Sequence, residues 1–192
     1  MTSKNTLIIG TRGSALALAQ ADMVRAALSA LHPGLDIRRE IIRTTGDRRM
    51  DVPLADVARV SGIVDKGIFI KELETALLEG RIDVAVHSLK DVPSELAPEF
   101  RLPAVLPRAA AEDVLITKEP DWNGRGTLAT GSVRRRLMAR TYWGRQLRFE
   151  DLRGNVPTRL EKLVEHPEWD AVILAKAGLE RLGLYAPETV VQ

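Results

Sequence analysis

The strongest chemical signal in the sequence is a stretch in which every basic residue is arginine. Nine arginines and no lysine lie between residues 125 and 159, and the only acidic residues there are Glu150 and Asp151. The planar guanidinium matches carboxylate and phosphate groups, whereas a general solubilising surface usually mixes lysine, arginine and acids. The stretch therefore predicts a site for planar anions. Its basic residues are Arg125, Arg134, Arg135, Arg136, Arg140, Arg145, Arg148, Arg153 and Arg159.

Three of these arginines, Arg134, Arg135 and Arg136, fall in the first turn of a predicted helix over 132–143. The N-terminus of a helix is the positive end of its dipole, so cations are unfavourable there unless an anion accompanies them. A solvated basic face is the alternative interpretation. We favour an anion site, because Arg153 and Arg159 flank the start of the next predicted helix.

Polar residues directly follow a predicted buried strand over 82–87. In open α/β sheets, ligands bind beyond the carboxyl ends of the strands. Asp91 could act as a general acid or base or stabilise a cation, and the adjacent Lys90 could hold an anionic substituent. A turn pair before a proline explains the same two residues equally well. His87 fits a strand-end residue better than a catalyst, and three scattered histidines predict no metal site.

A third candidate lies at the start of the first predicted helix, over 14–31. Arg12 and Ser14 could bind a carboxylate at this N-terminus, although Ser14 would also be a good N-cap without any ligand. The sequence has no P-loop, no Gly-x-Gly-x-x-Gly after a strand and no Gly-x-Ser-x-Gly elbow. It therefore gives no support to a nucleotide-binding or serine-hydrolase function.

Short apolar strands and helices alternate along the chain, which predicts an α/β fold with mainly parallel sheets. The predicted strands cover 6–10, 36–44, 82–87, 112–117, 126–130, 146–152 and 169–174. The predicted helices cover 14–31, 67–79, 132–143, 157–165 and 177–182. Residues 45–65 predict a long loop, and loops of that length are uncommon and often functional.

A weak internal repeat suggests how these elements are grouped. The turns at 9–14 and 129–134 both connect a strand to a helix through glycine, serine and threonine. We therefore predict two similar α/β lobes, 1–107 and 108–192, around a cleft. Helix N-termini that point into such a cleft would favour anions.

Composition narrows the class of protein. The 192 residues are 45% hydrophobic and 28% charged, which is typical of a globular chain. No apolar run approaches the roughly 18 residues of a membrane span, and the N-terminus has no secretory pattern. The chain has no cysteine, which excludes disulfides and thiolate sites within it and fits a cytoplasmic location. A net charge of +2 and 4% aromatic residues argue against a nucleic-acid partner.

Several of these stretches, in this order and spacing, resemble the porphobilinogen deaminase family, also called the hydroxymethylbilane synthases. The resemblance spans nearly the whole chain. The segments that carry it are GTRGSALALAQ at 10–20, KGIFIKELE at 66–74, DVAVHSLKDVP at 83–93, LRGNVPTRL at 152–160 and ILAKAGLERLG at 173–183.

The resemblance implies two lobes like those of type II periplasmic binding proteins and a smaller third domain. It also implies a transferase of tetrapyrrole, that is porphyrin and heme, biosynthesis, which joins four porphobilinogens head to tail and releases ammonia at each step. A dipyrromethane cofactor held by a cysteine would prime the reaction. The partners implied are porphobilinogen and its oligomers, with no nucleic acid and no membrane.

The resemblance assigns roles to particular residues. Asp91 would be the catalytic carboxylate, which hydrogen-bonds to pyrrole N–H groups and stabilises the cationic azafulvene formed as ammonia leaves. Phe69 and the loop before it would cover the site. The acetate and propionate groups of cofactor and substrate would be bound by Arg12, Ser14, Lys90, Thr130, Ser132, Arg134, Arg135, Arg153 and Arg159.

Three features depart from the family pattern. The sequence ends at Gln192, where the family would return to the first lobe and build the third domain with its cofactor cysteine. We therefore expect a missing C-terminal domain or a separate chain to complete the protein. Gly131 stands where the family usually has serine, which removes a hydroxyl that could bind a carboxylate. The loop around 57–65 is longer than usual, and Pro157 replaces a common glycine.

Two functions stay open at this point. We favour the first two domains of a hydroxymethylbilane synthase, as a fragment or as one part of a split enzyme. The alternative is a non-catalytic two-lobed protein that binds an anionic pyrrole, a tetrapyrrole or another polycarboxylate. The absence of cysteine favours the alternative, whereas the set of arginines with Lys90 and Asp91 favours the enzyme.

Overall fold

The computed structural model describes residues 5–44 and 70–186. The chain divides into two compact units, Met1–Pro107 and Arg108–Gln192. The predicted loop over 45–65 lies outside the described residues. No helix within the described ranges is long and apolar enough to cross a membrane.

The first unit contains a three-stranded parallel sheet in the order β2-β1-β3. Helix α1 follows the central strand β1 and begins at the N-cap Ser14, whose side chain accepts a hydrogen bond from the backbone N–H of Ala17. A single 3-10 turn follows β3. The elements are β1 (Thr6–Thr11), α1 (Ala15–Leu31), β2 (Asp36–Ile41), α2 (Lys71–Leu78), β3 (Val84–Ala85) and the 3-10 helix Leu89–Asp91.

A small apolar cluster holds α2 against this sheet. Leu73 and Ala76 of α2 pack with Ile42 and Ile82. The packing depends on a glycine in β1, because a Cβ added at Gly10 would lie 2.3 Å from Cδ1 of Ile82. This packing fixes α2 against one face of the sheet.

The second unit contains a four-stranded sheet in the order β4-β7-β5-β6. Strand β5 pairs in parallel with β6 and β7, and β4 pairs antiparallel with β7. The elements are β4 (Asp113–Thr117), β5 (Gly126–Ala129), α3 (Val133–Trp143), β6 (Leu147–Glu150), α4 (Val156–Glu165), β7 (Ala171–Ala175) and α5 (Lys176–Arg181).

Alternate residues of this second sheet build two separate cores. Val172 and Leu174 of β7 pack with Leu163 of α4 and Leu179 of α5. The next residues along the same strand, Ala171 and Ile173, pack in a different cluster that includes Ala139 of α3. Successive strand residues point to opposite faces, so the sheet is covered on both sides. This explains the continuous apolar sequence of β7.

The two units share one strand order. In each unit, the strand before the first helix of the repeat is central, β1 in the first unit and β5 in the second. The strand after that helix, β2 or β6, lies on one side of it, and β3 or β7 lies on the other. The resemblance between the turns at 9–14 and 129–134 thus extends to the topology around them.

The predicted α/β class with mainly parallel sheets is confirmed. Three details differ. Strand β3 is only two residues long, because after the N–H of Val86 bonds to the carbonyl of Gly10 at 2.9 Å the chain turns into the 3-10 helix. Strand β4 is antiparallel, a direction that the alternation of elements does not specify. Helix α4 is capped by Asn155, so Pro157 is its second residue rather than its first.

Candidate functional site

In the first unit, the end of β1 places Arg12 and Ser14 at the start of α1. Thr11, the last residue of the strand, is fully buried, and its hydroxyl donates to the carbonyl of Ala17 at 3.2 Å. Ser14 caps the helix from the other side, since its Oγ accepts from Ala17 N at 3.3 Å. The expected N-cap is confirmed, and the hydroxyl proton of Ser14 can still be donated to an anion.

The loop after β3 places Ser88, Lys90 and Asp91 close together in the chain. The hydroxyl of Ser88 bonds to the side-chain carbonyl of Gln20 on α1 at 2.8 Å, which ties the loop to the first helix. The N–H of Asp91 bonds to the carbonyl of Ser88 at 2.9 Å and closes the 3-10 turn. Lys90 is exposed and Asp91 half-buried. Within residues 5–44 and 70–186, no hydrogen bond or ion pair occupies either side-chain charge. The turn pair alone therefore does not account for them.

In the second unit, the turn between β5 and α3 resembles the turn between β1 and α1: a buried threonine, Thr130, is followed by an N-cap serine, Ser132. Thr130 is buried, and its Oγ1 accepts a 3.2 Å hydrogen bond from the backbone N–H of Ser132. Ser132 in turn caps α3 by accepting from the N–H of Arg135 at 3.4 Å. Both hydroxyls are acceptors in the turn and keep a proton that an anion could accept.

Arg134 and Arg135, at the start of α3, share one carboxylate of the chain itself. Nη2 of Arg134 lies 2.7 Å from Oδ2 of Asp113, and Nη2 of Arg135 lies 2.6 Å from Oδ1 of the same residue. Burial raises the pKa of the Asp113 carboxyl, but the hydrogen bonds and charges of Arg135 and Arg134 outweigh this and bring the pKa below its ordinary value. The anion that the sequence predicts at this helix start is therefore partly Asp113.

Arg136, the third arginine of the first turn, is also paired within the chain. Its Nη2 is ion-paired with Asp151, and its Nε donates to the carbonyl of Thr130 at 3.0 Å. Its guanidinium carbon and that of Arg140 lie 5.9 Å and 5.2 Å from the centre of the Phe149 ring. This side of α3 is an arginine–aromatic surface with its own acid. Its arginines belong to the predicted anion-binding stretch, but the family resemblance assigns no ligand carboxylate to them.

Arg153 and Arg159 differ from the arginines of α3, because no carboxylate in the described part of the chain pairs with either of them. Nε of Arg159 donates to the carbonyl of Gly154 at 2.8 Å. Burial first, and then the positive charges of Arg135 and Arg153, lower the pKa of the Arg159 guanidinium from its ordinary value. The half-buried guanidinium of Arg159 thus carries its charge near two other positive charges.

A glycine turn holds this second helix start. Gly154 has φ +116°, which L side chains rarely adopt, and a Cβ there would meet the Thr158 methyl at 2.8 Å. Asn155 then accepts from the N–H and the hydroxyl of Thr158 at 2.9 and 2.8 Å. The Arg-Gly-Asn sequence therefore fixes the backbone between Arg153 and Arg159.

Two guanidinium nitrogens of the second unit are buried without a hydrogen-bond partner in the described part of the chain, Nε of Arg135 and Nε of Arg181. A buried donor without a partner costs free energy, so both atoms suit a ligand acceptor. The sequence analysis did not identify Arg181. The one signal that could have found it is its place at the end of a short helix that directly follows a buried strand.

The remaining predictions concern Phe69 and metals. Phe69, the predicted cover, lies outside the described residues. Among residues 5–44 and 70–186, no three histidine or acidic side chains gather into a group that could hold a metal ion.

Comparisons with known proteins give one family. Residues 7–191 match the family model described as porphobilinogen deaminase, dipyromethane cofactor binding domain. The porphobilinogen deaminase of Roseiflexus sp. (strain RS-1) is 47% identical over 186 residues, which cover 94% of this chain and 58% of that protein. That of Gloeobacter violaceus is 44% identical over 187 residues, which cover 93% and 54%. The chain thus spans little more than half the length of these relatives.

Among solved structures, the chain is similar to an ancestral amino acid-binding protein, AncCDT-1, a precursor of cyclohexadienyl dehydratase. The TM-score is 0.45 at 16% sequence identity, and the similarity covers 98% of this chain and 76% of that one. Similarity at this level says nothing about what this chain binds.

Proposed function

The chain belongs to the porphobilinogen deaminase family, as its motifs predicted, and from that membership we propose that it carries substrate-binding and catalytic residues of a hydroxymethylbilane synthase. The proposed activity is a transferase reaction of tetrapyrrole biosynthesis. Four porphobilinogens are joined head to tail, and each addition releases one ammonia. We further propose a cytoplasmic location, with which the absence of cysteine is compatible.

The observation that carries the proposal is the group of guanidiniums around Arg159. Arg135, Arg153 and Arg159 are close enough for the other two charges to lower the pKa of Arg159. Of these three arginines, only Arg135 is paired with a carboxylate in the described part of the chain, and it shares that carboxylate with Arg134. A partly buried group of like charges is costly unless an anion joins it. Porphobilinogen carries an acetate and a propionate, so it supplies two such anions.

The second unit therefore binds carboxylates in this proposal. Arg153 and Arg159 supply uncompensated guanidiniums, and Arg135 supplies its Nε–H. Ser132 and Thr130 donate their hydroxyl protons from the turn before α3. Arg134 contributes less, because its side chain is 62% exposed and already paired with Asp113.

The first unit supplies the group that acts on the pyrrole. Asp91 has a carboxylate with no partner in the described residues, so it is available to accept a pyrrole N–H. When ammonia leaves porphobilinogen, the remaining azafulvenium is positively charged, and a nearby carboxylate lowers its free energy. Lys90, Arg12 and Ser14 bind carboxylate substituents of the same ring system in this proposal.

The arginine group also fits the carboxylates of a dipyrromethane. When bound, a dipyrromethane would supply the pyrrole carbon to which a substrate pyrrole is joined. The 192 residues contain no cysteine, so no thioether to them can form. We propose that any such attachment uses a thiol from outside this sequence.

The same absence of cysteine supports a second candidate. A non-catalytic protein could use the arginine group to bind an anionic pyrrole, a tetrapyrrole or another polycarboxylate. It would bind porphobilinogen without releasing ammonia.

The test of catalysis is porphobilinogen consumption by the purified chain, with ammonia measured in parallel. Asp91→Asn should abolish turnover while leaving folding intact. Glu95→Gln is the matched control, because Glu95 is an exposed carboxylate four residues further along. If the unmodified chain releases ammonia, equal release by both variants would refute the role of Asp91. Binding without ammonia release by the unmodified chain would support the non-catalytic candidate.

A further inference from the structure

Asp113 lies where β4, β7 and the start of α3 meet. It is the first residue of β4, and its two carboxylate oxygens each bind a different guanidinium from the start of α3, at 2.7 Å for Arg134 and 2.6 Å for Arg135. Its side chain is only 17% exposed. Neither motif reading nor the family resemblance gave this residue a role.

Arg135 is held on two sides. Asp113 binds its Nη2, and the carbonyl of Ile173 on the neighbouring strand β7 accepts from its Nη1 at 3.0 Å. Two fixed acceptors on adjacent strands leave a planar guanidinium little freedom to rotate. Its Nε stays buried and makes no hydrogen bond in the part of the chain that the structure describes.

Arg134 is bound differently although it shares the carboxylate. Its side chain is 62% exposed, against 13% for Arg135. Its other recorded contact is a weak one, from Nη1 to the sulfur of Met138 at 3.2 Å. Asp113 therefore restrains a buried arginine far more strongly than an exposed one.

We propose that Asp113 is a positioning residue of the anion site, which fixes the guanidinium of Arg135 so that its Nε–H remains the donor for a ligand carboxylate. The inference rests on the proposed function in one respect, that the ligand carboxylate is taken to be that of porphobilinogen. Asp113 itself does not touch the ligand.

A purely electrostatic role for Asp113 would have the opposite consequence. An acid next to an anion site repels the anion, so its neutralisation should strengthen binding. A positioning acid preorganises its arginine, so its neutralisation should weaken binding. The sign of the change in affinity therefore separates the two roles.

Asp151 provides the matched control. It is ion-paired with Arg136 on the same helix, but its side chain is 68% exposed, and Arg136 is not among the ligand-binding residues. Asp113→Asn and Asp151→Asn each remove one negative charge from the acids paired with the first turn of α3. Only Asp113→Asn alters the group that holds Arg135, because it replaces a carboxylate whose two oxygens both accept from guanidiniums by an amide with a single, uncharged acceptor.

The first measurement needs no ligand. The 15N-labelled chain should show the Nε–H resonance of Arg135 in slow exchange with water, assigned by its loss in Arg135→Lys. We expect Asp113→Asn to broaden this resonance or speed its exchange, and Asp151→Asn to leave it unchanged. An unchanged Arg135 resonance in Asp113→Asn would overturn the proposal whatever porphobilinogen does.

The second measurement is the dissociation constant for porphobilinogen. We expect Asp113→Asn to bind about tenfold more weakly, the loss typical of one charge-assisted hydrogen bond. Asp151→Asn should bind as well as or better than the unmodified chain. Equal or tighter binding by Asp113→Asn would overturn the positioning role and support electrostatic repulsion.

Arg135→Lys keeps the inference testable if Asp113→Asn fails to fold. This variant retains the positive charge and lacks Nε, so it should lose the same roughly tenfold in affinity. Full affinity in Arg135→Lys would overturn the proposal. If the unmodified chain does not bind porphobilinogen, the proposed function fails, while the resonance of Arg135 still decides whether Asp113 positions it.

Discussion

Asp170 and Thr127 are joined by two reciprocal hydrogen bonds. The N–H of Thr127 donates to Oδ2 of Asp170 at 2.7 Å, and the N–H of Asp170 donates to the carbonyl of Thr127 at 2.9 Å. The first unit repeats the arrangement with Ile8 and Asp83, at 2.8 and 2.9 Å. In both units an aspartate just before the last parallel strand thus fixes the register of the central strand.

This relationship predicts that Asp170→Ala destabilises the second unit. The variant leaves the partly buried N–H of Thr127 without its acceptor, which should cost about 1–3 kcal/mol. All three tryptophans, Trp122, Trp143 and Trp169, lie in the second unit, so urea unfolding followed by their fluorescence reports on it. Asp121→Ala, at an exposed position, is the control. A loss no larger than that of the control would contradict the prediction.

The second prediction concerns acid stability and Asp113. Because the pKa of Asp113 is lowered in the folded chain, its ion pairs contribute fully above the ordinary carboxyl range. The contribution is lost as the pH falls below that range and through the lowered pKa. We expect the stability difference between the unmodified chain and Asp113→Asn to be largest near neutral pH and to shrink towards about pH 3. The same fluorescence measurement, repeated across pH, checks this, and a constant difference would argue against it.

The third prediction concerns Gly131, a position at which the family resemblance predicts serine. A Cβ at this position would lie 2.9 Å from the backbone carbonyl oxygen of Leu152, which cannot move away as a flexible side chain could. Gly131→Ser should therefore destabilise the chain by about 1–3 kcal/mol rather than improve anion binding. Gly34→Ser is the control, because nothing lies within 4 Å of that position. Thermal unfolding followed by circular dichroism compares the two, and tighter porphobilinogen binding by Gly131→Ser would count against this account.

Local patterns explain how much of the fold the sequence could predict. Ser14 and Ser132 are N-caps because a short hydroxyl side chain before an apolar helical stripe satisfies a free N–H, and both helix starts are found as expected. The alternation of strands and helices predicts parallel pairing, because a helix between two strands lets the chain cross over and begin the next strand in the same direction. The antiparallel pairing of β4 with β7 joins residues 54 to 62 positions apart, from Thr117 with Ala171 to Asp113 with Ala175, and no local pattern indicates it.

In the candidate site, too, local features could be predicted from the sequence, whereas contacts between distant residues could not. The helix dipole favoured an anion beside the first-turn arginines of α3, with a solvated basic face as the alternative. That Asp113 supplies part of it depends on a contact between β4 and α3, 21 and 22 residues apart in the sequence. Arg153 and Arg159 could be predicted as a pair around a helix start. The lowered pKa of Arg159 could not, because it depends on burial and on Arg135.

The central claim is that the uncompensated arginines of the second unit bind the carboxylates of porphobilinogen. The most direct test is calorimetric titration of porphobilinogen into the unmodified chain, Arg159→Gln and Arg134→Gln. We predict saturable binding by the unmodified chain, a loss of about tenfold or more in Arg159→Gln, and a smaller loss in Arg134→Gln, whose exposed guanidinium is already paired. No binding at about 1 mM porphobilinogen, or affinity unchanged by Arg159→Gln, would contradict the account.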